Sequence, residues 1–196
     1  MNNTSKLIAL ALASLATVAF VPSCANGPIA QTNAAGASSS QIAGDSRAAL
    51  RSLYRQNAGA RALGQRAKGV LVFPHVVKGG LMVGAQGGNG ALIRNDGSIG
   101  GYYQTAGASY GLQAGVQQFG YALFLMDNSA FQNINSSSGW EIGSAPSLVV
   151  VDQGMATSLS TTTINKGTYA FFFNQRGLMG GLGLQGSKIT RINPAQ

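Results

Sequence analysis

The stretch AKGVLVFPHVVKGGLMVGAQGGNGALI, residues 67–93, decides how this chain is built. Val70 to Phe73 is a short apolar run of β-favouring side chains, entered after Lys68-Gly69 and stopped by Pro74. Nothing in it alternates with polar residues, so it reads as a strand buried on both faces. Val76-Val77 and Leu81-Met82-Val83 are two further apolar bursts, cut by Gly79-Gly80. The glycines at 84, 87, 88 and 90 leave room for another backbone to pass close by. The stretch is a bent, glycine-notched piece of sheet core.

Toward the C-terminus the same texture continues. Ala91 to Arg94, then Asn95-Asp96-Gly97-Ser98, then Ile99 onward reads as a hairpin around Asp-Gly. With period two, Ala108, Tyr110, Leu112, Ala114 and Val116 would line the core face. Gly107, Ser109, Gly111, Gln113 and Gly115 would line a nearly bare one. That bare face either lets the sheet curl tightly or floors a groove for an acyl chain at Gly107, Gly111 and Gly115. Tyr121 to Met126 is a buried strand. Asp127-Asn128 stops it and caps a short helix, Ser129 to Asn135, with Phe131 and Ile134 inward. Trp140 to Ile142, Leu148 to Val151, an edge strand Thr157 to Ile164, Tyr169 to Phe173, Leu178 to Leu184 and Lys188 to Ile192 follow as strands, with Gln175-Arg176-Gly177 as a turn. The fold class is α+β, mainly antiparallel β: a curved or barrel-like glycine-rich sheet with short N-terminal basic helices and one short internal helix.

Composition agrees. Glycine is 28 of 196 residues, about twice the usual ~7%, and charged residues are 9% against a typical ~25%. The balance is basic, with 13 Lys+Arg against 5 Asp+Glu and a formal net charge of +8, which favours anionic partners. Much of that charge sits in one place. A helix starting near Asp45 or Ser46 and running toward Gly59 carries Leu50, Leu53 and Tyr54 on one face. Arg47, Arg51 and Arg55 recur at every fourth residue as a cationic stripe. A second short helix, Ala60 to Ala67, adds Arg61 and Arg66, followed by Lys68. These cations read either as a solvated outer face or as a contact for anionic lipid headgroups.

The N-terminus reads as a targeting segment. One positive charge, Lys6, precedes an apolar run from Leu7 to Val21, too short for a ~20-residue membrane span but right for a secretory leader. Cys24, the only cysteine, follows Val21-Pro22-Ser23. It sits where a lipoprotein leader is cut and the thiol acylated; cleavage after Ala25 by ordinary signal peptidase would instead discard it. The expected division is therefore a signal peptide (residues 1–23), a flexible Ala/Ser/Gly/Asn-rich tether (24–41) and one domain (42–196).

No catalytic, cofactor or metal site is expected. His75 is the only histidine and follows Pro74. One His, one Cys and five scattered acids (Asp45, Asp96, Asp127, Glu141, Asp152) show no ligand spacing. Gly180-Gly181-Leu182-Gly183 lacks the Lys-Ser/Thr of a phosphate loop.

AKGVLVFP, then V-x-K-G-G and G-x-x-G-G-x-G-A-L, resembles the opening of the SYLF domain. The likeness continues in order through Gly100 to Tyr103, Ser109 to Gly115, Ser137 to Trp140, Gly177 to Met179 and Leu182 to Lys188. The family is a lipid-binding module of bacterial lipoproteins and of eukaryotic proteins that link phosphoinositide membranes to actin. Gly143 to Ser147 carries Pro146 and none of the acid found there in relatives, so no carboxylate role carries over. The resemblance implies a non-catalytic, exported protein that binds anionic phospholipid or a membrane surface. It implies the periplasmic side of a bacterial envelope, with anchoring to the outer membrane through Cys24. An actin partner is not expected of an exported chain, nor is a nucleic-acid partner or a small-molecule substrate. A small outer-membrane β-barrel and a structural envelope protein without a specific ligand are the alternatives.

Overall fold

A computed structural model describes residues 36–135, 140–142, 148–151, 167–177 and 187–196. Helix α1 spans Ser39–Gln56 and α2 spans Ala58–Arg66. Strand β1 runs Gly69–Arg94 and β2 runs Ile99–Leu125. Helix α3 is Asn128–Ile134. Four shorter strands follow: β3 Trp140–Ile142, β4 Leu148–Val151, β5 Thr168–Gly177 and β6 Ser187–Ile192.

The centre is one long antiparallel ribbon, β1 against β2, in register from Gly69↔Leu125 to Ile93↔Ile99. The run expected to stop at Pro74 continues through it. A register shift between Phe73 and Val76 places the proline in a bulge, where its missing N–H breaks no ladder bond. The far turn closes as the Asp-Gly signal requires: Gly97 has φ +80°, its N–H donates to Arg94 O, and Asp96 Oδ1 accepts from Ser98 N.

The ribbon folds back on itself. A Cβ placed on Gly88 would lie 2.5 Å from His75 O, and one on Gly90 would strike Val72 O and the Phe73 ring. The backbone expected to pass over these glycines is thus an earlier part of the same strand. Fold-back makes two apolar layers. Val70, Val72, Ile93, Phe124 and Phe171 pack under α1 and α2, while Leu71, Phe73, Leu92, Tyr103 and Tyr121 pack with Ala130 and Ile134 of α3. Both faces of Val70–Phe73 are therefore buried, which is why that run does not alternate.

The remaining strands use the other edge of β2. β5 pairs with its second half and β6 with its first. β4 adds to β5 in parallel and β3 to β6 antiparallel, completing a six-stranded sheet of order β3-β6-β2-β5-β4 with β1 on the free side of β2. The α+β, mainly antiparallel class holds. Among the described residues the sheet is curved but not closed into a barrel. No helix among them is long and apolar enough to cross a membrane.

Three local expectations change. First, α1 begins at Ser39, not near Asp45: Ser38 caps it, its Oγ accepting from Gln41 N while Gln41 Oε1 accepts from Ser38 N. The box lay inside a segment read as tether. Ala37 and Ile42 bury against Ala91, and Ser39 N donates to Ala195 O at 2.7 Å. Ser46 caps nothing; it is buried and donates to Val72 O. Second, the inward phase of β2 differs from that reading at both ends of the stretch, while the side chains of 109–114 lie outside the described set. Tyr103, Thr105 and Phe119 are buried, whereas Ala108 is exposed and Val116 is 65% exposed. An aromatic ring removes 150–250 Å² from water, far more than an alanine can, so the rings set the register and the small residues follow. Third, Gln175 to Gly177 is strand, paired with β2 through Gln118↔Arg176 and Gln117↔Gly177. The turn signal there marks an irregularity instead, with Asn174 at φ +53° beside a register shift. The expected strands at 157–164 and 178–184 lie outside the described residues.

The short helix after β2 forms as read. Asp127 caps α3, Oδ1 accepting from Ala130 N and Ser129 Oγ while Oδ2 accepts from Gly167 N at the start of β5. Those donors hold its carboxyl down at about 2.

Two glycine substitutions of opposite sign test the fold-back. Gly90→Ala forces a methyl into the Val72 carbonyl and costs about 2–4 kcal/mol in urea unfolding. Gly44→Ala, in α1 with nothing within 4 Å of the new Cβ, stabilises by about 0.5–1 kcal/mol in the same measurement.

Candidate functional site

The cations of α1 and α2 do not form one stripe. Asn57 ends α1 and caps α2, its Oδ1 accepting from Ala60 N at 2.9 Å, so the second helix turns away from the axis of the first. Between the two helices and the turn end of the ribbon lies a cleft of 670 Å³. Leu50, Val70 and Ile93 line it as buried apolar residues, and the half-buried Tyr54 forms part of one wall. Arg51 and Arg55 of α1, Arg61 of α2 and Arg94 of β1 line it as exposed cations. Among the described residues none of the lining is acidic; Asp96, between the lining residues Asn95 and Gly97, acts on Arg94.

Each wall has a local cause. Arg51 and Arg55 sit one helical turn apart and share a face. Arg61 Nε donates to Tyr54 O at 3.1 Å, which fixes that guanidinium beside the helix junction. Arg94 is the last residue of β1, delivered to the cleft by the Asn95–Ser98 turn. The Tyr54 ring lies against Gly64 of α2, where any Cβ would meet its hydroxyl oxygen, and it tilts onto Phe124 with centroids 6.3 Å apart. Burial pushes its phenol up to about 12, so Tyr54 is uncharged at neutral pH.

The residues expected to contact headgroups therefore separate. Arg51, Arg55 and Arg61 come together. Arg47 is partly buried and does not line the cleft; its Nη2 donates to Gly97 O at 3.2 Å and ties α1 to the ribbon turn. Arg66 is exposed but does not line the cleft, and Lys68 Nζ donates to Asn128 Oδ1 at the start of α3. Arg94 and Gly64 are additions. Arg94 carried a faint signal as the residue before an Asp-Gly turn, but only the tertiary crossing of α1 over that turn makes it part of a site.

The glycine row reads differently in three dimensions. At Gly107 the space a side chain would take is already filled by Gln86 and Ser187, whose side chains hydrogen-bond to each other there. Gly107 is thus a close-packed position, not open floor. Gly115 has φ +136° and pairs with Gly80. Gly111 lies in β2, and the side chains flanking it fall outside the described set, as does Cys24.

The remaining polar residues that the structure describes have local partners or extended backbone. His75 sits half-buried at the Pro74 bulge, its Nδ1 hydrogen-bonded with Gln118 Nε2 at 3.2 Å. Burial lowers its pKa; Asp45 opposes that and Arg176 adds to it. Gly107-Ala108-Ser109-Tyr110-Gly111 has the Gly-x-Ser-x-Gly spacing of a nucleophile elbow, but that chemistry needs a sharp strand-to-helix turn. Here the segment runs along β2, with Ser109 paired to Gly84 and Tyr110 to Val83. Among the described residues no group of three or more His, Cys, Asp or Glu is placed to hold a metal.

The Tyr54–Gly64 contact is testable as a pair. Gly64→Ala costs about 1–3 kcal/mol by overpacking. In a Tyr54→Ala background that cost falls close to zero, and a double-mutant cycle by chemical denaturation reads the difference.

Comparison with known proteins places the second half of this architecture. The family model Ysc84, described as "Las17-binding protein actin regulator", matches residues 106–195, from the middle of β2 past β6. No curated protein matches the chain. The arginine cleft, built from residues 50–97, precedes the matched segment. The matched segment overlaps the motifs read from Ala67 to Lys188: residues 106–195 are similar to an Ysc84 (SYLF) domain, a family that supports a lipid-binding type of module.

Proposed function

We propose that this is an exported, lipid-anchored envelope protein whose SYLF-type domain binds anionic phospholipid and carries out no bond chemistry. The observation that carries the reading is the gathering of Arg51, Arg55, Arg61 and Arg94 around an apolar-floored cleft with no acid in its lining. Like charges brought together repel one another; Asp96 offsets part of this at Arg94, and an anion among Arg51, Arg55 and Arg61 relieves the rest. Guanidinium groups suit phosphate because their planar donor fork matches its oxygens. Apolar side chains beneath the charges suit the first methylenes below a headgroup.

The leader at residues 1–23 and the lone Cys24 support export and acylation, with the domain held at the periplasmic side of the outer membrane. The Las17 and actin terms of the family description are not carried over, because an exported chain would not meet cytoskeletal partners. An outer-membrane barrel is the weaker reading, since spanning strands need a closed sheet and the described strands leave it open.

Two measurements test this. Residues 24–196 carrying Cys24→Ser, which removes the acyl anchor, co-sediment with anionic vesicles. Reversal of Arg51, Arg55 and Arg61 to Glu weakens that binding at least about 100-fold, on the order of 1 kcal/mol for each arginine lost. Unchanged sedimentation removes the lipid reading. Separately, the mass of the mature chain carries a diacylglyceryl group on Cys24; an unmodified N-terminus at Asn26 removes the anchor.

A further inference from the structure

We propose that the arginine cleft takes a single molecule: a one-chain amphiphile with a phosphate headgroup, held out of the bilayer. The headgroup sits among the guanidiniums of Arg51, Arg55, Arg61 and Arg94, and the alkyl chain lies along Leu50, Val70 and Ile93. The inference rests on the lipid-binding reading above and goes beyond it, from touching a membrane surface to carrying a lipid.

Shape is the first argument. A bilayer presents a broad plane of headgroups, and a protein that only rests on it needs a flat or convex basic patch. Here the cations rim a recess instead. Its 670 Å³ falls inside the roughly 300–1,000 Å³ of pockets that enclose a drug-sized molecule. That volume suits one chain and a compact head rather than a two-chain phospholipid.

The distribution of polarity is the second. Cations and apolar residues meet in one recess, and an amphiphile is the ligand class that answers both. A free phosphate would make no use of the apolar edges that Leu50, Val70 and Ile93 show the cleft, and a neutral hydrocarbon would bring no anion to Arg51, Arg55 and Arg61.

Local chemistry is the third. Arg51 and Arg55 have no carboxylate partner among the described residues. The only acid on α1 is Asp45, which lies outside the cleft and acts on His75. Arg61 is preset by its bond to Tyr54 O, so little freedom is lost when it meets a ligand. Tyr54 stays neutral and adds no negative charge beside a phosphate.

Calorimetric titration of residues 24–196 carrying Cys24→Ser decides the matter. The titrants are lauroyl lysophosphatidic acid below its micellar concentration, glycerol 3-phosphate, inorganic phosphate and lauroyl lysophosphatidylcholine. The expected result is one lysophosphatidic acid bound per chain, with the other three at least about tenfold weaker. Arg51→Ala with Arg94→Ala lowers lysophosphatidic acid affinity by about tenfold or more while circular dichroism is unchanged. Asn95→Trp, at the exposed turn bordering the cleft, blocks entry and gives the same loss by steric means. Absence of the complex, equal affinity for glycerol 3-phosphate or inorganic phosphate, or indifference to both variants overturns the proposal. If the unaltered chain still sediments with anionic vesicles while binding no lysophosphatidic acid, the carrier idea fails and the surface-binding reading survives. Loss of both fails the earlier reading as well.

Discussion

Everything in this fold depends on β1 lying against itself. Val72 O and His75 O press onto Gly88 and Gly90, with no room between them for a methyl group. That contact brings the two ends of one ribbon together, so residues far apart on β2, such as Tyr103 and Tyr121, enter one apolar cluster. It also gives β1 two buried faces, one under the helices and one against α3. Without the fold-back the two ends of the ribbon would lie apart, and the apolar layer that joins Tyr103 to Tyr121 would not close. The glycines are thus spent on closeness, and the core that results is assembled from local hairpin pairing plus one long-range contact.

The fold-back also makes the cleft. Ile93 and Arg94 are brought beside Val70 and Gly69, and α1 then lies across both ends of the strand at once. The cleft floor is therefore sheet at Val70 and Ile93 and helix at Leu50, while its rim is mostly helix. Charges on a helix can be exchanged at little cost in folding, whereas the floor is held by the core. The exposed cations and the buried core thus occupy different elements, although they meet at the same place. Arg47 marks the boundary: a cation of the same helix, it is tied to Gly97 O, and its charge serves the joint.

Much of this was legible in the residues. The unalternating Val70–Phe73 run, the close passage over Gly88 and Gly90, the Asp-Gly turn, the Asp127 cap and the α+β class follow from patterns whose causes are local. The errors share one cause, which is competition between a local signal and a distant partner. The Ala/Val alternation on β2 was a real period-two signal, but Tyr103, Phe119 and Tyr121 outweigh it because rings bury more area. Ser38 and Gln41 formed a capping box inside a low-complexity segment, and only docking against Ala91 and Ala195 makes a helix start there worthwhile. The site was half visible. Spacing on α1 gave Arg51 and Arg55. Arg94 needed the crossing of α1 over the ribbon turn, and the exclusion of Arg66 and Lys68 needed the change of direction at Asn57.

The clasp between Ser39 N and Ala195 O has a mechanical consequence. It joins the first turn of α1 to the chain just beyond β6, and β6 is laddered to the middle strand of the sheet. A pull arriving through residue 36 is therefore loaded onto β2 as well as onto a surface helix. The start of α1 is braced from within, so the outermost helix does not peel away before that bond and the β6 ladder are loaded.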